Sequence, residues 1–230
     1  MGDYAEPQNI AIIAPRGEEN VELDTPDGIE TPYDNRHLHR WIWFIAGPTA
    51  CGKTTIAKAL AKDLDFTFLE GDDYHPKANV EKMSRGEPLT DADRAGWLQA
   101  LAEHETAHPP SFPPSSKLPH MVMTCSALKK HYRDVLREGG AEAKNLRIRF
   151  VFLDGPEALL ARRAAERKGH YAGANLVRSQ FEALERPNSE DEPDVLVVDV
   201  DRPLEDTMRD VMNKVKEAMM RDDGSYLKVL

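Results

Sequence analysis

The chain has 230 residues, with 30 Lys and Arg against 40 Asp and Glu, a formal net charge of −10 and 40% hydrophobic content. That length suits one domain with a tail, and the composition can bury a real core. No stretch approaches the roughly 18 apolar residues that a membrane span needs, and the acidic start Met1-Gly2-Asp3 lacks the basic and then apolar order of a secretory leader. The excess of acids argues against nucleic acid as a partner, since phosphate backbones are held by Lys and Arg. Cys51 and Cys125 are the only cysteines, so a disulfide framework is not expected and a cytoplasmic, reducing compartment fits.

The charge is unevenly spread. Residues 1–40 carry nine acids and three bases, whereas the remaining 190 residues carry 31 acids and 27 bases. Those first 40 residues contain Pro7, Pro15, Pro26 and Pro32 and one short apolar run, Ile10–Ala14, and are expected to form a mostly irregular extension. The pattern changes at Trp41, where Trp41-Ile42-Trp43-Phe44-Ile45-Ala46 reads as a parallel strand covered on both faces, followed by a Gly-containing turn and a helix over 54–62. Further strands are expected at 66–69, 121–125, 148–153 and 195–200. Helices are expected at 75–84, 92–106, 128–138, 156–168, 176–184 and 204–220. Five short apolar strands alternating with helices imply a three-layer α/β/α domain on a five-stranded parallel sheet, spanning 41–221 and followed by a tail at 222–230. The prolines of residues 108–119 predict a surface loop. Trp41, Trp43 and Phe44 are expected in the core, and Trp97 either packs between helix and sheet or faces a dimer partner. His37, His39, His104 and His108 lack Cys or His partners at zinc-site spacing, so no zinc is expected.

Gly47-Pro48-Thr49-Ala50-Cys51-Gly52-Lys53-Thr54 fits G-x-x-x-x-G-K-[ST], and it lies between a strand and a helix, as that motif requires. Backbone N–H groups of such a loop converge on phosphate, and the helix N-terminus adds a favourable partial charge. The motif predicts a P-loop NTPase fold that binds a nucleotide through Gly47 to Thr54 together with Thr55. Lys53 would reach the β- and γ-phosphates, and the Thr54 hydroxyl would ligate Mg²⁺. Ala50 stands where many such loops carry Gly, so an ordinary φ is expected there. Cys51 reads as a small space-filling residue.

The loop leaves the reaction open. Asn213-Lys214-Val215-Lys216 fails the last position of a guanine-reading N-K-x-D, and Met121–Cys125 leads into Ser126 rather than the acid of a motor ATPase. Acids follow the second strand instead, in Glu70-Gly71-Asp72-Asp73, where the loop faces the ligand crevice of a parallel sheet. That placement suits a small-molecule kinase, in which Asp72 either accepts the proton of an acceptor hydroxyl or holds metal-bound water.

Several segments beyond the loop resemble the gluconokinases, a P-loop family with a nucleoside-monophosphate-kinase-like fold and lid, related to shikimate kinase. They are Gly71-Asp72-Asp73-Tyr74-His75-Pro76, Asn79 through Met83, Gly86 through Arg94 with Trp97-Leu98, Cys125 through Asp134, Arg167 through Tyr171, Gln180 through Glu185, and Asp194 through Asp199. The resemblance runs from about Trp41 to Met220. It implies phosphorylation of D-gluconate at its 6-hydroxyl by ATP and Mg²⁺, and it suggests a homodimer. Another small-molecule kinase of this architecture, such as one resembling shikimate kinase, is the alternative.

A hydroxylated carboxylate needs a cation and several polar groups. His75, Lys82, Arg94, Lys129 and Arg133 are candidate substrate contacts, each of which could equally be a solvated helix charge. Arg163 and Arg167, four residues apart, share a helix face. In related kinases this is the lid, here about 163–174, so the resemblance assigns Arg163 and Arg167 to ATP phosphates and makes His170 a substrate contact, a hinge residue or a surface residue. Lys53, Asp72 and Arg167 form the expected catalytic set, and Thr54 and Asp72 the expected metal ligands.

Overall fold

The computed structural model describes residues 39–106, 120–141, 143, 146–166 and 174–223. Residues 1–38 of the extension expected over 1–40, the Pro-rich loop 108–119, Arg167, His170 and the end of the tail from 224 lie outside the described residues, and Arg40, expected in the extension, is already strand.

Strand β1 (Arg40–Ala46) is the centre of the sheet, and its residues from Trp41 to Ala46 are completely buried. Successive strand residues point to opposite faces, so an unbroken apolar run serves two cores. Trp41, Trp43 and Ile45 join one core with Ile56 and Leu60 of α1 (Lys53–Leu64) and with Val211 and Val215 of α7 (Leu204–Asp222). Ile42, Phe44 and Ala46 join the other, with Trp97, Leu98 and Leu101 of α3 (Asp91–Thr106) and Tyr132 and Leu136 of α4 (Lys130–Gly139). Trp97 therefore packs between helix and sheet.

The remaining strands are β2 (Thr67–Leu69), β3 (Met121–Thr124), β4 (Leu146–Asp154) and β5 (Val195–Asp199). They pair in the order β2-β3-β1-β4-β5, and every pair is parallel. The register sets Ile45 opposite Thr124, Ala46 opposite Phe152 and Asp154 opposite Asp199, which brings the carboxyl ends of the strands to one edge. Ligands of open α/β sheets bind at that edge, where the strand order reverses. Helix α2 (Lys77–Ser84), preceded by a 3-10 turn at Gly71–Tyr74, and α3 follow β2, while α5 (Glu157–Glu166) and α6 (Ala174–Glu182) lie between β4 and β5. The elements match the sequence expectation to within a few residues at each boundary.

Candidate active site

The loop after β1 is built by backbone geometry that few residues tolerate. Gly47 has φ 131°, and a Cβ there would lie 2.5 Å from the Leu153 carbonyl oxygen, so β4 leaves space only for glycine. Gly52 caps α1 in the left-handed region at φ 103°. Ala50 also has a positive φ, 66°, which corrects the expectation of an ordinary conformation there. An L residue with a Cβ pays about 1–2 kcal/mol for that conformation. The Cys51 N–H donates back to the Pro48 carbonyl at 3.4 Å, closing the turn that imposes it. Cys51 itself is buried in the core, as expected of a space-filling residue, and is not joined to Cys125.

Contacts from three other segments hold the loop. Gly47 N–H donates to the Ser126 carbonyl at 3.1 Å, which ties the loop to the end of β3. Thr49 N–H donates to Oε1 of Gln180 on α6 at 2.6 Å. Lys53 Nζ donates to the Gly47 and Pro48 carbonyls at 3.1 and 3.0 Å, so its ammonium lies along the loop. The Thr54 hydroxyl donates to Glu70 Oε2 at 2.8 Å. The other oxygen of Glu70 accepts from the Thr124 hydroxyl, which in turn accepts from Gly71 N–H at 3.0 Å. Gly71 is required there, since a Cβ would overlap the Thr124 carbonyl oxygen.

Two clefts open on either side of this loop and share Ala50 and Gly52. The first, of about 380 Å³, joins Lys53, Thr54, Glu70, Asp72, His75, Arg94, Ser126 and Gln180, with Val80, Met83, Leu89 and Leu176 as its apolar part. The second, of about 370 Å³, is lined by Thr55, Arg163, Glu166, Val200, Arg202, Leu204 and Thr207 besides the loop itself. Arg163 Nη2 donates to the Val200 carbonyl at 3.0 Å, so it stands on the second side.

In the first cleft Asp72 is well exposed, and its Oδ1 lies 3.9 Å from His75 Nε2. His75 is nearly buried and stacks on Trp97 with ring centroids 4.0 Å apart. Burial, reinforced by the Arg94 guanidinium, pushes His75 down to about 4, so the ring is neutral near pH 7. Arg94 is 9% exposed and donates from Nη1 to the Leu89 carbonyl, which aligns its guanidinium in the cleft wall.

The structure brings Lys53, Thr54, Asp72, His75 and Arg94 together and places three other expected substrate cations elsewhere. Lys82 is bound to Asp93 at 2.7 and 2.9 Å, outside the cleft wall. Lys129 is bound to Asp91 at 2.8 Å, which also accepts from the Tyr132 hydroxyl, so this lysine docks α4 against α3. Arg133 is corrected outright. It is completely buried and donates to Glu192 at 2.6 and 2.8 Å, to the Ala127 carbonyl at 2.9 Å and to the Glu185 carbonyl at 3.2 Å. Burial alone would raise Glu192, but the bonds from Arg133 and Arg137 outweigh it and hold its carboxyl low. Arg133 is thus a structural post under the segment that carries Ser126.

Sequence reasoning missed Glu70, Ser126 and Gln180. Glu70 closes β2 and stood within the recognised acidic group, and the strand end was the usable signal. The contact of Gln180 with Thr49 spans 131 positions and has no local signature.

A phosphate loop on the central strand, with an acid and a guanidinium across one cleft and a second cleft behind it, defines a P-loop kinase acting on a small molecule. Residues 42–187 match the model of a family described as an AAA domain. The chain is 41% identical over 181 residues to the thermoresistant gluconokinase of Escherichia coli, covering 79% of this chain and 96% of the relative. It is 46% identical over 154 residues to a gluconokinase of Gluconobacter oxydans, covering 66% and 79%. The crystal structure of a gluconokinase from Sinorhizobium meliloti superimposes with a TM-score of 0.66 at 34% identity, over 85% of this chain and all of that one. The chain belongs to the gluconokinase family. No described helix is long and apolar enough to cross a membrane.

Proposed function

We propose that this protein transfers the γ-phosphoryl group of ATP to the 6-hydroxyl of D-gluconate, giving 6-phospho-D-gluconate and ADP. The observation that carries the reading is the first cleft, where Lys53 and Thr54 face Asp72, with Arg94 the one arginine of the wall among the described residues. Asp72 orients and deprotonates the attacking hydroxyl, and Lys53 swings from the loop carbonyls to the β- and γ-phosphates. The transition state of phosphoryl transfer is loose, so positioning and charge neutralisation supply most of the rate. Arg94 keeps Nε and Nη2 for the gluconate carboxylate, a charge-assisted pairing that a planar guanidinium suits. The nucleoside part of ATP occupies the second cleft, with Arg163 at its side and Arg167 expected to close from the lid.

Mg²⁺ fits the residues present. The Thr54 hydroxyl and the Glu70 carboxylate, 2.8 Å apart, are hard oxygen donors beside the phosphate loop, and Asp72 lines the same cleft. The metal neutralises phosphate charge when bound. The family resemblance supports a homodimer, tested by sedimentation of the full chain, and with the low cysteine content it supports a cytoplasmic location. ADP release is the test of the reaction, measured with gluconate, shikimate, glycerate and nucleoside monophosphates as acceptors. Stimulation by gluconate is expected; stimulation by shikimate or another acceptor without gluconate would assign the cleft to the alternative kinase.

A further inference from the structure

We propose that Asn79 is a positioning residue that holds the ring proton of the His75 imidazole on Nε2, so that His75 orients the attacking hydroxyl toward Asp72. The orienting part rests on the reading of the first cleft as the acceptor site. The side chain of Asn79 is buried on α2, and its Nδ2 lies 2.7 Å from the Asp93 backbone carbonyl. A carbonyl only accepts, so this contact fixes which end of the amide faces that way. The same Nδ2 lies 3.4 Å from His75 Nδ1. An amide nitrogen has two hydrogens to give and accepts none, so one goes to Asp93 and the other to His75. Nδ1 is therefore an acceptor and carries no proton, which leaves the single proton of a neutral ring on Nε2.

The ring cannot readily turn away. It lies against the Trp97 indole at an interplanar angle of 19°, and Trp97 Nε1 donates to the Gly71 carbonyl at 2.7 Å, in the same turn that carries Asp72. The charged groups around it are Asp72 and Arg94 on the cleft side, with the Asp93–Lys82 pair beyond Asn79. Burial and Arg94 both oppose a second proton on the ring.

The polarity has a direct consequence for the reaction. Nε2 and Asp72 Oδ1 are 3.9 Å apart, too far to bond each other. A hydroxyl oxygen about 2.8 Å from both fits over that base. It would accept from Nε2–H with one lone pair and donate its own proton to Asp72, leaving its second lone pair for the attack. The other tautomer would offer a lone pair at Nε2, compete with Asp72 for that proton, and set two donors against each other at Nδ1.

The test uses the full chain labelled with ¹⁵N at histidine, recorded without acceptor, with His75 assigned by loss of its signals in His75→Gln. Long-range proton–nitrogen spectra at neutral pH are expected to show the Nε2–H tautomer. Asn79→Ala should give a tautomer mixture and lower kcat/KM for gluconate roughly tenfold, with KM for ATP within about twofold. Asn79→Asp, which accepts where Asn79 donates, should move the proton onto Nδ1. An Nδ1–H tautomer or an imidazolium at neutral pH in the unsubstituted protein overturns the proposal, as does Asn79→Ala with tautomer and gluconate kinetics unaltered. If Asn79→Ala does not fold, the unsubstituted spectrum and Asn79→Asp decide. The correct tautomer without gluconate turnover would count against the acceptor reading alone.

Discussion

The two halves of the active-site edge are built in different ways. The half proposed to hold the nucleotide is a single eight-residue loop whose shape comes from backbone constraints: Gly47 against the Leu153 carbonyl, with Ala50 and Gly52 at positive φ. The half proposed to hold the acceptor is assembled from β2, the 3-10 turn, α2 and α3, and its side chains are set by tertiary partners. Trp97 holds the turn through Gly71, Asn79 holds His75, and Asp91 and Asp93 take the lysines away from the cleft. A phosphate is the same in every nucleotide, so a fixed backbone cradle serves it. An acceptor is particular, and a cleft of side chains can be altered one contact at a time.

Substitutions that separate binding from chemistry test that contrast. The largest effect is expected at Asp72: Asp72→Asn should lower kcat by about 10²- to 10⁴-fold while MgADP still binds, measured by steady-state kinetics and calorimetry. An unchanged kcat would remove Asp72 from the reaction. Arg133→Met should cost about 3–5 kcal/mol of stability, because Glu192 is left buried with one of its two arginine partners gone. Denaturant melts would show it, and a protein as stable as the parent would mean that Arg137 and water suffice for Glu192.

Arg94→Met should remove a charged contact of about 1.5–3 kcal/mol, raising KM for gluconate by roughly 10- to 150-fold with little change for ATP. Equal losses for both substrates would make Arg94 a structural residue like Arg133. The smallest effect is expected at Gln180→Met, where the loss of one hydrogen bond to Thr49, worth about 0.5–1.5 kcal/mol, should raise KM for ATP several-fold and leave gluconate untouched. A change confined to gluconate would place Gln180 in the acceptor half instead.

What the sequence made legible follows the same division. The five strands and the phosphate loop were readable because each depends on neighbours in the chain: an apolar run covered on both faces, or a glycine pattern at a strand end. Ala50 was misjudged because closure of the loop, rather than the residue's own preference, sets its φ. The basic residues of the acceptor half could not be sorted from sequence. Arg94 and Arg133 are both arginines in family motifs, yet one lines the cleft and the other meets Glu192 across 59 positions. Lys129 likewise meets Asp91 across 38 positions. A chain read locally has no access to such pairings, and in this half they decide which cations remain for substrate.

The proposed reaction is defined by the position that receives the phosphoryl group. Incubation with ATP, Mg²⁺ and D-gluconate, followed by proton-coupled phosphorus NMR of the product, reads that position. A gluconate-dependent phosphomonoester coupled to the two protons of carbon 6, formed in step with ADP, is expected. No gluconate-dependent product, or a phosphate coupled to the single C–H proton of one of the secondary carbons, would overturn the proposed reaction.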